Sequence, residues 1–246
     1  MTHITSFDGT RLAYTELGDG RPLLLLHGLA SSAHLNWLRY GTAAELVAAG
    51  HRLILPDLRG HGDSDKPHDP ASWPADVLAQ DAEALITHLG LTDFDIGGYS
   101  LGARTVVRLL ARGLRPGRAI LAGMGLTGIT DTGSRSGFFL GVLANPGSFT
   151  PGTAEYMADA FMRQTGVDRP ALIQLLGAQV DTPESVLATL DTRTLVLCGD
   201  ADRDNGASQA LAMALPNAAH VTIPGNHMSA VTKAELGSAM AAWLAH

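Results

Sequence analysis

Short apolar runs, each closed by a turn-forming residue, recur along the chain. Residues 23–26 are all leucine and lie between Pro22 and Gly28, a pattern typical of a strand covered on both faces. Similar runs predict strands at residues 52–55, 94–96 and 195–198, and less regular runs at 119–122 and 219–223 are weaker strand candidates.

Segments with helical spacing separate these predicted strands. Apolar residues recur three and four positions apart within 43–47, 77–89 and 106–110, which predicts helices with one apolar face. Because parallel strands need crossover connections, this alternation indicates an α/β protein with a parallel sheet and helices on both faces. Residues 4–6 and 11–16 flank an Asp-Gly pair, which predicts an N-terminal β-hairpin and makes the sheet mostly, not wholly, parallel.

The alternation lapses at about residues 127–183, where glycines and prolines mix with aromatic residues. We predict a helical cap inserted into a single domain of residues 1–246, since no linker or repeat divides the chain. The cap carries more apolar side chains than a solvated connector needs, so we expect them to pack on the core or to line a pocket for the acyl group of a substrate. The candidates for that pocket are Phe138, Phe139, Leu143, Tyr156 and Phe161.

Composition narrows the range of partners. The chain is 46% apolar and 17% charged, as in well-buried globular enzymes. Its formal charge of −7 offers no electrostatic reason to bind nucleic acid or anionic lipid. No apolar run approaches the roughly 20 residues of a membrane span. With one cysteine, Cys198, and a polar start without a secretion signal, the protein is expected in the cytoplasm; its oligomeric state is not predicted.

The pentapeptide at 98–102, Gly-Tyr-Ser-Leu-Gly, lies between a predicted strand and a helix expected to begin near residue 103. In that setting Gly-x-Ser-x-Gly predicts a nucleophile, Ser100, on a sharp strand-to-helix turn. The turn strains the backbone, and side chains at Gly98 or Gly102 would collide with neighbouring chain. A glycine-rich turn without chemistry is the alternative, which the flanking strand and helix disfavour.

A serine hydroxyl needs a base within hydrogen-bond reach, and histidine titrates in the useful range. His227 follows the last predicted strand, where this type of elbow places its base in the order serine, acid, histidine. Among the ten histidines, His220 lies in or beside that strand and His246 ends the sequence. We therefore predict His227 as the general base.

Three aspartates, Asp200, Asp202 and Asp204, follow the predicted strand 195–198. Here the chain resembles the α/β-hydrolase superfamily. The resemblance rests on the elbow, the acidic loop and the histidine, which occur in the family's usual order, and it extends over nearly the whole sequence. The family's acid commonly lies three residues after the glycine that closes this strand, which implies Asp202. Asp200 is the alternative, and Asp204 is expected to cap a helix starting near residue 207.

An anionic tetrahedral intermediate needs N–H donors that are fixed in advance. In this fold the residue after the nucleophile supplies one, which implies the Leu101 amide. The loop 27–30, His-Gly-Leu-Ala, resembles the family's oxyanion signature and implies the Leu29 amide as the second donor. His27 lies in the wrong order to be the base and is expected to shape the loop. Residues 57–64 resemble another segment of the family. For this segment we expect the role of a structural turn at least as much as that of a substrate contact.

These motifs predict a serine hydrolase of the α/β-hydrolase type and leave its reaction open. A carboxylesterase that cleaves small or medium apolar esters through an acyl-enzyme is the first hypothesis. Family dehalogenases and epoxide hydrolases are disfavoured, since they carry aspartate at the elbow. Lactonase, thioesterase, C–C hydrolase, perhydrolase and hydroxynitrile lyase activities use the same three residues, and a non-catalytic ligand receptor is an alternative of another class. No metal- or nucleotide-binding motif is present, so no cofactor or metal is expected.

Overall fold

The central sheet is formed by segments that are apolar or alternate between apolar and polar residues. The structure is a computed structural model that describes residues 2–246. Within this range the strands are β1 (Thr2–Thr5), β2 (Arg11–Leu17), β3 (Arg21–Leu26), β4 (His51–Pro56), β5 (Asp95–Tyr99), β6 (Arg118–Ala122), β7 (Arg193–Gly199) and β8 (Ala218–Ile223).

The strands follow the order β1-β2-β4-β3-β5-β6-β7-β8 across one sheet. The β1–β2 hairpin and the β2–β4 pair are antiparallel, and the other neighbouring pairs are parallel. Leu24 and Leu26 of β3 join one apolar layer, whereas Leu23 and Leu25 join the layer on the opposite face. The sheet is therefore covered on both sides, as predicted, and parallel strands put the carboxyl ends of β3 to β8 at one edge.

Helices form the two covering layers. On one face, α1 (Thr42–Ala48) packs against α11 (Ala234–Leu244), and on the other α2 (Val77–His88) packs against α3 (Leu101–Ala111). Two further helices, α9 (Ser208–Ala214) and α10 (His227–Ala230), flank β8 in the sequence. In residues 2–246, no helix is both long enough and apolar enough to cross a membrane.

Five helices occupy the connection between β6 and β7, where the sequence predicts the cap. Side-chain N-caps fix where three of these helices begin. Asp131, Thr153 and Asp168 each accept a hydrogen bond from a backbone N–H of the first turn. Buried Val142 and Leu172 join the apolar layer that covers the sheet, so part of the segment packs on the core. The helices are α4 (Thr127–Thr130), α5 (Thr132–Ala144), α6 (Ala154–Thr165), α7 (Arg169–Gly177) and α8 (Glu184–Leu187).

Candidate active site

Ser100 lies on the turn that joins β5 directly to α3. Its backbone adopts φ 53° and ψ −111°, a region that costs a non-glycine residue about 1–3 kcal/mol. The neighbouring chain comes very close, because a Cβ at Gly98 would lie 2.2 Å from the Gly102 carbonyl carbon and a Cβ at Gly102 would lie 2.0 Å from the Leu26 oxygen. The two glycines thus permit the tight turn that holds the Ser100 side chain at the carboxyl edge of the sheet.

A continuous hydrogen-bonded chain links Ser100 to His227 and Asp202. His227 Nε2 lies 3.0 Å from Ser100 Oγ, and His227 Nδ1 lies 2.9 Å from Asp202 Oδ2. Asp202 and His227 are buried, whereas Ser100 is half-buried. The structure therefore brings together the three side chains that the sequence selects, from the loops after β5, β7 and β8.

Local hydrogen bonds hold His227 at the first position of α10. Asn226 caps this helix by accepting from the N–H groups of Met228 and Ser229, and Ser229 Oγ accepts from the Asn226 N–H. The buried Tyr99 hydroxyl donates to the His227 carbonyl oxygen at 2.7 Å. Burial raises the Tyr99 pKa well above its ordinary value, so the phenol stays protonated and keeps this donor.

Asp202 is held as a carboxylate despite its burial. Burial favours the neutral acid, but hydrogen bonding and the charge interaction with His227 outweigh it, so the Asp202 pKa is lowered. Its Oδ1 accepts from the Asp204 N–H at 3.0 Å, and the Cys198 thiol lies 3.5 Å from Oδ2. Burial and the Asp202 charge raise the Cys198 pKa to about 12, so the thiol is neutral beside the carboxylate.

The other two aspartates of this loop do not contact His227. Asp200 Oδ1 accepts from the Gly225 N–H at 2.9 Å, which fixes the loop before the histidine. Asp204 forms an ion pair with Arg135 at 2.7 Å. The expected capping role of Asp204 is wrong, because α9 has Ala207 at its N-cap and no side chain caps it; Asp204 turns instead toward Arg135 on α5.

The predicted oxyanion donors, the amides of Leu29 and Leu101, lie beside Ser100. Within residues 2–246, neither N–H donates to a protein acceptor. The two residues line a narrow cavity together with Ser100. Two N–H groups left free next to a nucleophile are the arrangement that an oxyanion requires.

Two buried neutral histidines hold the loop that carries Leu29. His27 Nδ1 is 2.8 Å from the Gly28 oxygen and its Nε2 accepts from the Leu58 N–H, while His61 Nε2 accepts from the Ala30 N–H at 3.1 Å. Burial lowers the pKa of His27 to about 4 and that of His61 to about 3. Both rings are therefore neutral near pH 7 and can accept these backbone hydrogen bonds.

Asp57 joins the same loop to the segment 57–64. Its Oδ1 accepts from the Ala33 N–H and its Oδ2 from the Asp63 N–H, both at 2.8 Å. Gly62 has φ +49°, and a Cβ there would overlap the Asp57 carboxylate. Segment 57–64 thus holds in place the loop after β3 that carries Leu29, and we call the segment the brace and this loop the oxyanion loop. The sequence alone leaves this structural role undecided.

Two cavities meet at Ser100. The wide cavity, about 480 Å³, is lined by both polar and apolar residues, among them Asn36, Phe161, Gln164, His227 and Met228. The narrow cavity shares Leu29 and Ser100 with the wide one. Its lining consists of Leu29, Ser100, Leu101, Arg104, Arg135, Ser136, Phe139, Leu176 and Asn205.

The cap candidates divide between these spaces and the core. Phe161 lines the wide cavity and Phe139 the narrow one. Phe138, Leu143 and Tyr156 line neither, and Leu143 is buried in the apolar layer over the sheet. Within residues 2–246, no group of three His, Cys, Asp or Glu side chains is placed to hold a metal ion.

Comparisons with known proteins match part of the chain in sequence. Residues 21–132 match a family model described as alpha/beta hydrolase fold. The chain is 38% identical over 128 residues to a non-heme haloperoxidase from Rhodococcus erythropolis, a match that covers 50% of this chain and 44% of that protein. It is 34% identical over 100 residues to a soluble epoxide hydrolase from a Corynebacterium species, covering 41% and 33%. These matches span less than half the length of the curated relatives.

The likeness in structure extends over the whole chain. An esterase from Exiguobacterium antarcticum superposes with a TM-score of 0.82 at 19% identity, covering 100% of this chain and 99% of that one. At this identity the likeness concerns the fold alone. It includes the mostly parallel sheet and its covering helices, and it agrees with the family model.

Proposed function

This chain has the α/β-hydrolase fold, and on that premise we propose that it is a serine hydrolase that cleaves carboxylic esters through an acyl-enzyme. The hydrogen-bonded chain from Ser100 through His227 to Asp202 carries the proposal. The free N–H groups of Leu29 and Leu101 support it, because acyl transfer needs unengaged N–H donors near the nucleophile and both residues line a cavity with Ser100. An aspartate nucleophile, as in the epoxide hydrolases of this superfamily, is absent from the elbow.

The first half-reaction follows from the positions of these groups. His227 Nε2 takes the proton from Ser100 Oγ as the oxygen attacks the ester carbonyl, and Asp202 stabilises the resulting imidazolium. The amides of Leu29 and Leu101 donate to the oxyanion of the tetrahedral intermediate. His227 then gives its proton to the leaving alcohol, which departs and leaves the acyl group on Ser100.

Water completes the cycle by the same route. His227 accepts a proton from water, whose oxygen attacks the acyl carbon. The second tetrahedral intermediate collapses as His227 returns the proton to Ser100 Oγ. The products are one carboxylic acid and one alcohol for each ester consumed.

The wide cavity supports a substrate of small or medium size. Its volume of about 480 Å³ is within the range of small-molecule sites. Apolar Phe161 and Met228 lie in its lining beside polar groups, so an apolar portion of the ester is expected to bind there. Kinetics with esters whose apolar acyl or alcohol portion is lengthened one methylene at a time test this preference, and kcat/KM should rise by about fourfold per methylene until the cavity is filled.

Labelling of the nucleophile tests the proposed function directly. A fluorophosphonate probe should add one adduct mass to the intact protein, and peptide mapping should place it on Ser100. Ser100→Ala should show no adduct, whereas Asp200→Asn, which alters a loop contact only, should be labelled normally. An adduct elsewhere, or labelling of Ser100→Ala at the wild-type rate, contradicts the proposal.

Two other functions can be distinguished from ester hydrolysis by measuring which products are released over many turnovers. The similarity to a protein named haloperoxidase favours perhydrolysis as a second candidate, in which hydrogen peroxide replaces water and releases a peracid from the acyl-enzyme. Peroxide-dependent bromide oxidation in the presence of a short carboxylic acid tests it. A ligand receptor of this fold would bind an ester without releasing alcohol over many cycles.

A further inference from the structure

Asn36 is a buried amide side chain in the wall of the wide cavity. It lies in a short π-helical segment, His34–Leu38, that follows the oxyanion loop, and it is only 3% exposed. The wide cavity is lined by Asn36 together with Gly28, Ser100 and His227. Segments of π-helix are rare and occur often at functional sites. An uncommon backbone turn therefore places a buried polar group at the same cavity as the nucleophile.

The Asn36 side chain forms a single hydrogen bond within residues 2–246. Its Oδ1 accepts from the Gly28 N–H at 3.0 Å, which distinguishes the oxygen from the nitrogen of the amide. Its Nδ2 is buried and has no hydrogen-bond partner in the same part of the chain. An unpaired buried donor destabilises a fold, so stability alone is a weak reason for an amide at this position. The contact with Gly28 is the role that the observed geometry gives it.

Gly28 is held through both of its backbone polar groups. Asn36 accepts from its N–H, while its carbonyl oxygen accepts from His27 Nδ1 at 2.8 Å and from the Ser31 N–H at 3.3 Å. The neutral His27 ring carries its proton on Nδ1, because its Nε2 is an acceptor. The Gly28 carbonyl and the Leu29 N–H belong to one planar peptide and point in opposite directions. Whatever fixes Gly28 therefore fixes the direction of the Leu29 N–H.

Gly28 also lies within contact distance of the elbow. A Cβ on Gly28 would be 3.6 Å from Ser100 Cβ, 3.5 Å from the Tyr99 oxygen and 3.6 Å from Asn36 Oδ1. The nucleophile, the glycine and the amide are thus immediate neighbours. At such close range, a shift of Gly28 would carry the Leu29 N–H away from the position where it can donate to the oxyanion.

We propose that Asn36 is a positioning residue for the oxyanion donor of Leu29. The brace holds the loop on one side of Leu29, through Ala30, whereas Asn36 Oδ1 holds Gly28, the residue on the other side. Through Gly28 the amide directs the Leu29 N–H toward the oxyanion that forms when Ser100 attacks the ester carbonyl. The inference rests on the proposed ester hydrolysis and adds a residue that acts on its transition state through the backbone.

Asn36→Ala and Asn36→Leu test the role in turnover. Both remove the acceptor of the Gly28 N–H, and leucine also fills the volume of the amide. In both variants kcat for methyl butyrate should fall by about ten- to a hundredfold with KM within about threefold of wild type, because an oxyanion donor acts mainly in the transition state. A loss in the alanine variant alone would be due to the empty space and would overturn the proposal.

A pair of ketones gives a readout that a purely structural role would not change. In 1,1,1-trifluorohexan-2-one, Ser100 Oγ adds to the carbonyl carbon, its proton passes to His227, and the carbonyl electron pair moves onto the oxygen, which becomes an oxyanion. Hexan-2-one binds without this addition. In both Asn36 variants the inhibition constant of the trifluoroketone should rise by the factor that kcat/KM falls, whereas that of hexan-2-one should stay within about threefold.

Thr194→Val is the matched control for the loss of one buried hydrogen bond. Thr194 is 1% exposed near the amino end of β7, at the opposite edge of the sheet from Ser100, and its Oγ1 donates to the Thr192 oxygen at 2.8 Å. The substitution should lower the thermal midpoint but leave kcat and both inhibition constants within about twofold of wild type. Circular dichroism should show that this variant and both Asn36 variants are folded.

The outcomes distinguish the positioning role from the proposed function. Asn36 variants that keep kcat within about threefold of wild type, or that lose affinity for both ketones equally, overturn the positioning role and leave ester hydrolysis standing. A wild-type protein with no ester turnover and no fluorophosphonate adduct on Ser100 overturns the proposed function and the positioning role with it.

Discussion

At the scale of single residues, the proposed chemistry depends on small differences between similar groups. Three histidines lie close to the elbow, but only His227 contacts Ser100, whereas His27 and His61 accept backbone hydrogen bonds. Three aspartates follow β7, but only Asp202 contacts His227. Substitutions within each set therefore separate chemical from structural roles.

Ser100→Ala should remove nearly all ester hydrolysis and leave the fold intact. The hydroxyl contacts His227 but takes little part in the core, so losing it should lower kcat by about 10⁴- to 10⁶-fold. Steady-state kinetics and thermal unfolding followed by circular dichroism measure the two effects. If most of the activity remained with an unchanged melting curve, the nucleophile would have to be another residue.

Asp202→Asn should be far more damaging than Asp200→Asn. The amide cannot stabilise an imidazolium and favours the wrong tautomer of His227, which costs about 10⁴-fold in kcat in the best-studied triad. Asp200→Asn can still accept from the Gly225 N–H and should stay within about tenfold of wild type. Measured kcat values of the two variants decide the matter, and a reversed order would transfer the role to Asp200.

At the scale of elements, the loop after β3 depends on a brace made by residues 57–64. His61→Ala would leave the buried Ala30 N–H without its acceptor, at a cost of about 1–3 kcal/mol. The Leu29 amide lies one residue away, so we expect kcat to fall by about tenfold or more with KM little changed, because an oxyanion donor acts mainly in the transition state.

Kinetics and unfolding of His61→Ala check this prediction against a control. His68→Ala removes an exposed histidine that contacts Asp168, and it should alter neither kcat nor the position of the oxyanion loop. A His61→Ala variant that loses stability but keeps full kcat would show that the brace does not position Leu29.

The strands and the elbow are predictable from sequence because they depend on local patterns. Each apolar run corresponds to a strand, but β5 extends beyond residues 94–96 through two glycines that normally weaken strands. Gly97 avoids close contacts there, since a Cβ would lie 2.9 Å from the Leu25 side chain and 3.2 Å from Ile120 Cβ. Helix α3 likewise begins at Leu101 rather than near residue 103, because the elbow has no intervening loop.

Other features of the site depend on contacts between distant segments. Ser100, Asp202 and His227 are selected by motif and chain order, and hydrogen bonds join them in the structure. Arg104 carries no such signal, because its buried side chain is held by hydrogen bonds to Gly128 and Gln179 of the connection between β6 and β7. A charged residue on a helix more often lies in solvent.

At the scale of the whole molecule, buried neutral histidines couple folding to pH. His27 and His61 have folded pKa values of about 4 and 3 against an ordinary value of 6.5. Below pH 6.5 the unfolded chain binds more protons at these sites than the folded chain does. Their contribution to stability is therefore complete above pH 6.5 and is lost as the pH falls toward 4.

Denaturant unfolding between pH 7.5 and 4.5 tests this coupling. The free energy of unfolding should fall by about 1.4 kcal/mol per pH unit for each of the two histidines once the pH is well below 6.5. His61→Asn should reduce the slope to about half. A free energy that is constant from pH 6.5 to 4.5 would contradict the neutral, buried state of both rings.

The proposed chemical centre is also the product of long-range folding. Ser100 and His227 are 127 positions apart, and Asp202 and His227 are 25 apart. Contacts at such separations form late, because closing long loops costs entropy before the contacts compensate it. No partial assembly of the first strands contains the base or the acid. Recovery of esterase turnover during refolding should therefore lag behind recovery of secondary structure, which makes turnover a sensor of the completed sheet.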